Sequence, residues 1–115
     1  MINPAAVFVV TTENVPGYRV VSVLGEVFGV SSRSRNRVAT QGAGLVMVSG
    51  GELDSFTDLV AECRYEALER MRLAAAERGA NAVLALRFDT ENMGDSGGAA
   101  IAYGTAVVLS RQPDA

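Results

Sequence analysis

The 115-residue chain contains no histidine, and all ten of its basic residues are arginine, so it has no lysine either. Without histidine, imidazole-based acid–base catalysis and imidazole metal ligands are excluded. Without lysine, the chain can neither form a Schiff base nor present the lysine of a phosphate-binding P-loop. An enzyme built from this sequence would have to use carboxylates, hydroxyls, one thiol and bound ions.

Cysteine is almost absent as well, since Cys63 stands alone. A single thiol cannot close an internal disulfide, and it cannot supply a structural Cys₄ or Cys₂His₂ zinc site within one chain. No uncharged apolar run approaches the roughly 20 residues of a membrane-spanning helix, and the first residues lack the pattern of a signal peptide. We therefore predict a cytoplasmic protein that does not span a membrane.

The composition is typical of a globular protein, with 49% hydrophobic and 20% charged residues. The net charge of −3 provides no bulk attraction to nucleic acid or to an anionic membrane, so we do not expect nucleic acid as a partner. No internal repeat or interdomain linker is visible, and we expect a single domain over residues 1–115.

The first third of the chain predicts strands. Residues 8–12 are β-branched and aromatic, residues 14–17 contain an Asn-Val-Pro-Gly turn, and residues 18–30 resume strand character. Together they predict an N-terminal β-hairpin. Residues 31–36 are predicted as a polar loop, and residues 38–48 fit either a strand or a short helix weakened by glycine.

A long helix is predicted from Leu53 to Arg78. At 100° per residue, seven side chains share one apolar face, namely Leu53, Phe56, Val60, Cys63, Ala67, Met71 and Ala74. Acidic residues in the first half and arginines in the second suit the helix dipole, and Gly79 suits the C-terminal cap. Further apolar residues flank this stripe, so the helix is expected to pack against more than its own sheet.

From residue 82 the apolar period changes to two, which is typical of a strand. The alternation places three apolar residues on one face, namely Leu84, Leu86 and Phe88. It places three charged residues on the other, namely Arg87, Asp89 and Glu91. Residues 99–109 are apolar at both parities, which is typical of a strand covered on both faces. In so small a domain, that pattern indicates that a second subunit supplies one cover.

These elements predict an α+β fold in the order ββ, variable segment, long helix, ββ, with an antiparallel sheet and a homo-oligomeric assembly. Asp89 and Glu91 are the strongest candidates for a metal site. On a strand their side chains face one way, about 7 Å apart, and could share calcium, magnesium or manganese. The alternative is a solvated strand end at which Arg87 partly neutralises both acids.

Three other groups of residues have both a functional and a plainer interpretation. Cys63 could bind a soft metal at a symmetry axis, but its place in the apolar stripe favours an inert buried thiol. The alternating Arg33, Arg35 and Arg37 could clamp phosphate, although a solvated loop or an ion-pair site between subunits is more common. Arg64 at the edge of the stripe is expected to form an ion pair across an interface.

Short motifs are spread along nearly the whole chain. Those in the first half are Gly17-Tyr18, Gly25, Val27, Gly29, Asn36, Ala43-Gly44 and Gly50-Gly51. Those in the second half are Phe56, Arg64, Ala67, Glu69, Gly79-Ala80-Asn81-Ala82-Val83, Asp89-Thr90-Glu91, Gly94 and Gly104-Thr105-Ala106-Val107. In this order and spacing they resemble the YbjQ-like family, a family of uncharacterised proteins labelled as heavy-metal-binding. The resemblance implies a β-rich subunit with a long helix, assembled as a ring that we expect to be a pentamer. The chain departs from the family at Glu52, where an arginine usually stands, and it lacks the aromatics common before Gly50.

Three functions remain open on the sequence. The first is a non-enzymatic ring that binds a divalent metal ion or a small ligand, with Asp89 and Glu91 as the metal ligands. The second is a structural or partner-binding ring without metal. The third is a metal-assisted hydrolase, which ranks lowest because no general base with a partner is visible.

Overall fold

A long helix packs on one face of a four-stranded sheet in the computed structural model, which describes residues 6–34, 52–92 and 97–113. The strands are β1 (Phe8–Val9), β2 (Tyr18–Ser34), β3 (Ala82–Asn92) and β4 (Gly97–Arg111), and the helix is α1 (Glu52–Glu77). This arrangement confirms the predicted α+β class. Among the described residues, no helix is both long and apolar enough to cross a membrane.

The sheet has the strand order β1-β3-β4-β2, so the predicted N-terminal hairpin is wrong. β1 pairs in parallel with β3, whereas β4 pairs antiparallel with both β3 and β2. The sheet is therefore mixed and not antiparallel throughout. The segment between β1 and β2 packs Val10 and Val15 against Ala82, Leu84 and Val107 of the sheet. Burial of these apolar side chains outweighs the local turn and carries β2 to the opposite edge.

β2 continues to Ser34, whereas the sequence predicted a polar loop from residue 31. Ser31 is fully buried against the helix, and Arg33 lies two residues further along the same strand. Both side chains reach Glu66 on α1, so polar residues extend the strand because the helix supplies their partner. Arg35, Arg37 and residues 38–48, for which the sequence made predictions, lie outside the described residues.

Helix α1 matches the prediction to within one residue at each end. Its fully buried face consists of Leu59, Cys63, Ala67, Met71 and Ala75. Leu59 and Ala75 lie outside the predicted face, on opposite sides of it. The buried positions recur every four residues, so the buried row crosses that face obliquely. The side chains of Leu53 and Phe56 lie outside the described ones.

Gly79 caps the C-terminus of α1, as predicted. Its φ of +87° is left-handed, and the amides of Gly79 and Ala80 donate to the carbonyls of Ala76 and Ala75 at 3.0 Å each. This pair of bonds is the Schellman arrangement, which satisfies the last helical carbonyls. The sequence predicted arginines in the second half of the helix that would favour the negative end of the helix dipole, but the last helical turn holds no basic residue.

A β-bulge at Ala85 breaks the alternation of β3. Ala85 has a φ of +58°, and pairing with β4 skips from Leu84 to Arg87. Leu84 therefore packs with Val107 on the face away from the helix, while Leu86 joins the core beneath α1. The prediction that Leu84 and Leu86 share a face is wrong for this reason. The amide of Ala85 donates to the carbonyl of Thr12 at 2.8 Å, which holds the bulge in place.

Arginine side chains protect both edges of the sheet. Beside β1, Arg72 and Arg87 donate to the carbonyls of Val7 and Thr11 at 2.8 and 2.9 Å. At the other edge, Arg78 and Arg70 donate to the β2 carbonyls of Leu24 and Val30 at 3.1 and 2.6 Å. Outward carbonyls on edge strands are a template for pairing with another chain, and these contacts occupy four of them.

Small residues set the separation between the helix and the sheet. Ala67 of the helix and Ala100, Ala102 and Ala106 of β4 are completely buried in the core between the two layers. At Gly29 on β2, an added Cβ would overlap the backbone of Ala67 and Met71. The helix backbone can lie this close to β2 because Gly29, at the point of contact, has no side chain.

We expect Gly29→Ala to destabilise the protein by about 3 kcal/mol, because the methyl group would meet backbone atoms that cannot rotate away. Urea unfolding followed by circular dichroism measures the loss. Gly98→Ala is the matched control, since its new Cβ would lie 3.5 Å from the Glu91 carbonyl, an ordinary contact. Equal effects of the two substitutions would contradict the close approach at Gly29.

Candidate functional site

The face of the sheet opposite α1, which we call the outer face, carries an open cleft of about 420 Å³. Three adjacent strands build it. Asp89 of β3 pairs with Ile101 of β4, and Tyr103 of β4 pairs with Phe28 of β2. Glu26 of β2 completes the lining. Carboxylates and exposed apolar side chains therefore share one surface.

Asp89 and Glu91 lie on this outer face, as the alternation predicted, because Phe88, directly before Asp89, turns towards the helix. Both are exposed. Arg87, which the sequence suggested as their neutralising partner, donates instead to the carbonyls of Thr11 and Leu86 at 2.9 and 2.8 Å. Within the described ranges, no arginine forms an ion pair with Asp89 or Glu91.

The structure separates the two predicted ligands in one respect: Asp89 lines the cleft and Glu91 lies beyond its lining. Glu26 is the second carboxylate of the cleft, and sequence reasoning missed it. The alternation of Glu26, Phe28 and Val30 marks one face of a strand, but only the pairing of β2 with β4 brings that face beside β3. No three Cys, Asp or Glu side chains of the described part lie close enough together to hold a metal ion.

Cys63 does not fit a soft heavy metal. The thiol is 1% exposed, and its sulfur lies 3.7 Å from the carbonyl oxygen of Gly98. Burial raises the pKa of the Cys63 thiol, while the hydroxyl of Ser31 and the charge of Arg33 oppose that shift. A soft metal binds the thiolate, so a thiol held protonated among apolar side chains is a poor ligand.

On the other side of the sheet, where α1 packs on β2, Glu66 is the centre of a charged cluster. It accepts hydrogen bonds from the Ser31 hydroxyl at 2.5 Å and from Arg33 at 3.0 Å, and Arg70 approaches to 3.5 Å. Arg33 also pairs with Glu62 at 3.2 Å. The Ser31 hydrogen bond lowers the pKa of Glu66, burial partly opposes this, and the charges of Arg33 and Arg70 lower it further. Because its charges compensate one another, the cluster is a clamp between β2 and α1.

Arg64, for which the sequence predicted an ion pair across an interface, lies with its guanidinium carbon 4.2 Å from the centroid of the Phe88 ring. This is a cation–π contact, and it covers the apolar ring on the helix side of β3. The contact uses the delocalised planar group that distinguishes arginine from lysine.

Comparison with known proteins identifies close relatives. A family model described as "Putative heavy-metal-binding" matches residues 7–110. A UPF0145 protein of Streptomyces griseus is 50% identical over 107 residues, which are 93% of this chain and 88% of the relative. A UPF0145 protein of Streptomyces coelicolor is 51% identical over 104 residues, 90% and 98% of the two chains. One from Lactobacillus johnsonii is 44% identical over 101 residues, 88% and 93% of the two chains.

Among solved structures, a protein of unknown function in the DUF74 family of Pediococcus pentosaceus aligns with this chain. The alignment covers 90% of this chain and 98% of the other, with a TM-score of 0.46 and 17% identity. Similarity at this level transfers no residue and no assembly from one protein to the other.

We expect Glu66→Gln to lower the free energy of unfolding by about 1–3 kcal/mol at pH 7, because the charged acceptor of the clamp is lost. Since folding lowers the pKa of Glu66, its contribution is complete above the unfolded pKa and disappears as the pH falls through the folded pKa. The stabilities of the wild type and the variant should therefore begin to converge as the pH falls below about 4.3, the ordinary pKa of glutamate. Urea unfolding at a series of pH values tests this.

The control is Glu69→Gln on the same helix, where a partly exposed pair with Arg72 at 3.0 Å should contribute less than about 0.5 kcal/mol. A loss in Glu66→Gln that stays constant from pH 7 to pH 3 would show that the carboxylate charge is not responsible.

Proposed function

The chain belongs to the YbjQ-like family, whose relatives named above are UPF0145 proteins, and on this premise we propose that it is a subunit of a non-enzymatic, cytoplasmic ring that binds a divalent cation. The observation that carries the proposal is the pair of exposed carboxylates, Asp89 and Glu91, on one face of β3 with no arginine partner in the described part of the chain. Such a pair attracts a cation.

The oxygen ligands favour a hard ion such as calcium, magnesium or manganese over a soft heavy metal. Asp89 and Glu91 supply at most four oxygens, whereas a hard cation takes about six to eight. Water, backbone carbonyls or a second copy of the chain would complete the shell. Binding should therefore be stronger in the assembled ring than in a single chain.

The first half of β2 supports self-association. Four apolar side chains within six residues of this edge strand are between 43% and 67% exposed, namely Tyr18, Val20, Val21 and Val23. Soluble proteins rarely leave such an apolar row uncovered unless it is an interface. We call Tyr18–Val23 the β2 patch.

A ring requires a head-to-tail contact between two different surfaces of the same chain. The second surface in our proposal is the solvent side of α1, where Tyr65 is 69% and Leu73 42% exposed. The β2 patch of one copy would cover these side chains of the next, and closure after five copies would give a homopentamer.

A structural ring without metal is the second candidate. It is favoured by the lack of any three-ligand cluster among the residues that the structure describes. A metal-assisted hydrolase ranks below both, since the carboxylates of the outer face have no paired base or nucleophile beside them in the described region.

We expect the wild type to sediment as an oligomer, and the double variant Val21→Glu/Val23→Glu to sediment as a monomer at micromolar concentration. Two charges placed in the β2 patch would have to be buried without partners in the ring. Sedimentation velocity measures both masses, and circular dichroism verifies that the variant is folded.

Val30→Glu is the matched control, because it makes the same substitution at an exposed valine of the same strand outside the β2 patch. A monomeric wild type, or dissociation caused by Val30→Glu alone, would exclude the β2 patch as the ring contact.

For the metal, we expect Asp89→Asn/Glu91→Gln to weaken binding of manganese at least tenfold, about 1.4 kcal/mol, because both ligand charges are removed. Calorimetric titration of untagged protein measures the affinity. Cys63→Ala should bind manganese as the wild type does. Unchanged affinity in the double variant together with a loss in Cys63→Ala would overturn the assignment in favour of a soft-metal site.

A further inference from the structure

The outer-face cleft has an acid at each end and an apolar floor between them. Glu26 lies on β2 and Asp89 on β3, while Phe28, Ile101 and Tyr103 form the remaining lining. These three apolar residues are 59%, 36% and 40% exposed, although they lie in the interior of long strands. The part of the chain that the structure describes therefore leaves this surface incompletely covered.

The register of the strands gives the distance between the two acids. Asp89 pairs with Ile101, and Glu26 pairs with Thr105 of the same strand, four residues further on. Four residues along a strand and two strand spacings across the sheet separate the two Cα atoms by about 16 Å on a flat sheet. One small ion cannot bind both carboxylates across such a span.

We propose that this cleft binds a linear aliphatic polyamine, a ligand with ammonium groups separated by methylene chains. One ammonium group pairs with Asp89, a second pairs with Glu26, and the methylene chain between them lies over Phe28, Ile101 and Tyr103. The inference refines the ligand of the proposed binding function and rests on it to the extent that both use Asp89.

Charge complementarity selects this class of ligand. The lining carries two carboxylates and no basic residue, and no arginine of the described ranges pairs with either acid. An anionic ligand is repelled, and an uncharged one leaves both acids without a partner. Aromatic faces attract ammonium groups, and the methylene chain gains from leaving water.

The fixed position of Arg87 keeps the cleft acidic. Its strand position is directly opposite Tyr103, so its guanidinium could have reached the cleft. The bonds to the carbonyls of Thr11 and Leu86 hold it at the β1 edge instead. This one conformation of Arg87 thus caps a carbonyl at the β1 edge and also keeps a positive charge out of the cleft.

Calorimetric titration with spermidine tests the proposal, with manganese titrated into the same variants. We expect Glu26→Gln and Asp89→Asn each to weaken spermidine binding about tenfold, since each removes one ion pair. Glu91→Gln is the matched control, because Glu91 lies outside the cleft lining, and it should leave spermidine binding unchanged. The monoamine n-butylamine should bind at least tenfold more weakly than spermidine.

The two cations distinguish this inference from the metal site. Glu26→Gln should weaken spermidine but not manganese, and Glu91→Gln should weaken manganese but not spermidine. Equal spermidine affinity in the wild type and Glu26→Gln would overturn the polyamine site. Equal losses of spermidine affinity in Glu26→Gln and Glu91→Gln would also overturn it, because spermidine would then be attracted to negative charge without a specific site. Manganese binding without spermidine binding would overturn it and leave the metal proposal standing.

Discussion

The close contact between α1 and the sheet is the constraint on which the rest of this structure depends. Gly29 and the buried alanines of β4 let the helix backbone approach the sheet so closely that no side chain fits between the layers at Gly29. This contact buries one face of β2, β3 and β4. Within the described ranges, the β1–β2 connection covers part of the other face, with Val10 and Val15 packed on Ala82, Leu84 and Val107.

Arginine is the only basic residue of the chain, and the structure uses its shape as well as its charge. Four arginines donate to outward carbonyls at the sheet edges, Arg33 donates to Glu66, and Arg64 stacks on Phe88. A rigid fork with several donors can satisfy a carbonyl and a carboxylate at once, as Arg70 does with Val30 and Glu66. Four carbonyls at the edges of the sheet are thus occupied, and the outer face keeps exposed side chains.

The family label of heavy-metal binding and the residues of this chain favour different chemistry. There is no histidine, the single thiol is buried and protonated, and the carboxylates of the outer face lie apart from it. Oxygen ligands suit hard cations, and an acidic cleft with an aromatic floor suits organic ones. Both proposed sites lie on the outer face and share Asp89, which pairs with Glu91 for a metal ion and with Glu26 for an organic cation.

The sequence by itself determined the long helix, its glycine cap, the strand pair after it and the shared face of Asp89 and Glu91, because each depends on local periodicity. Only the tertiary structure decided the parallel pairing of β1 with β3, the extension of β2 to Ser34 and the reversal of Leu84 at the Ala85 bulge. Those features depend on partners distant in sequence, such as Val107 for Leu84 and Glu66 for Ser31. Glu26 became a neighbour of Asp89 in the same way, since strand order is set by burial across the whole sheet and no local pattern encodes it.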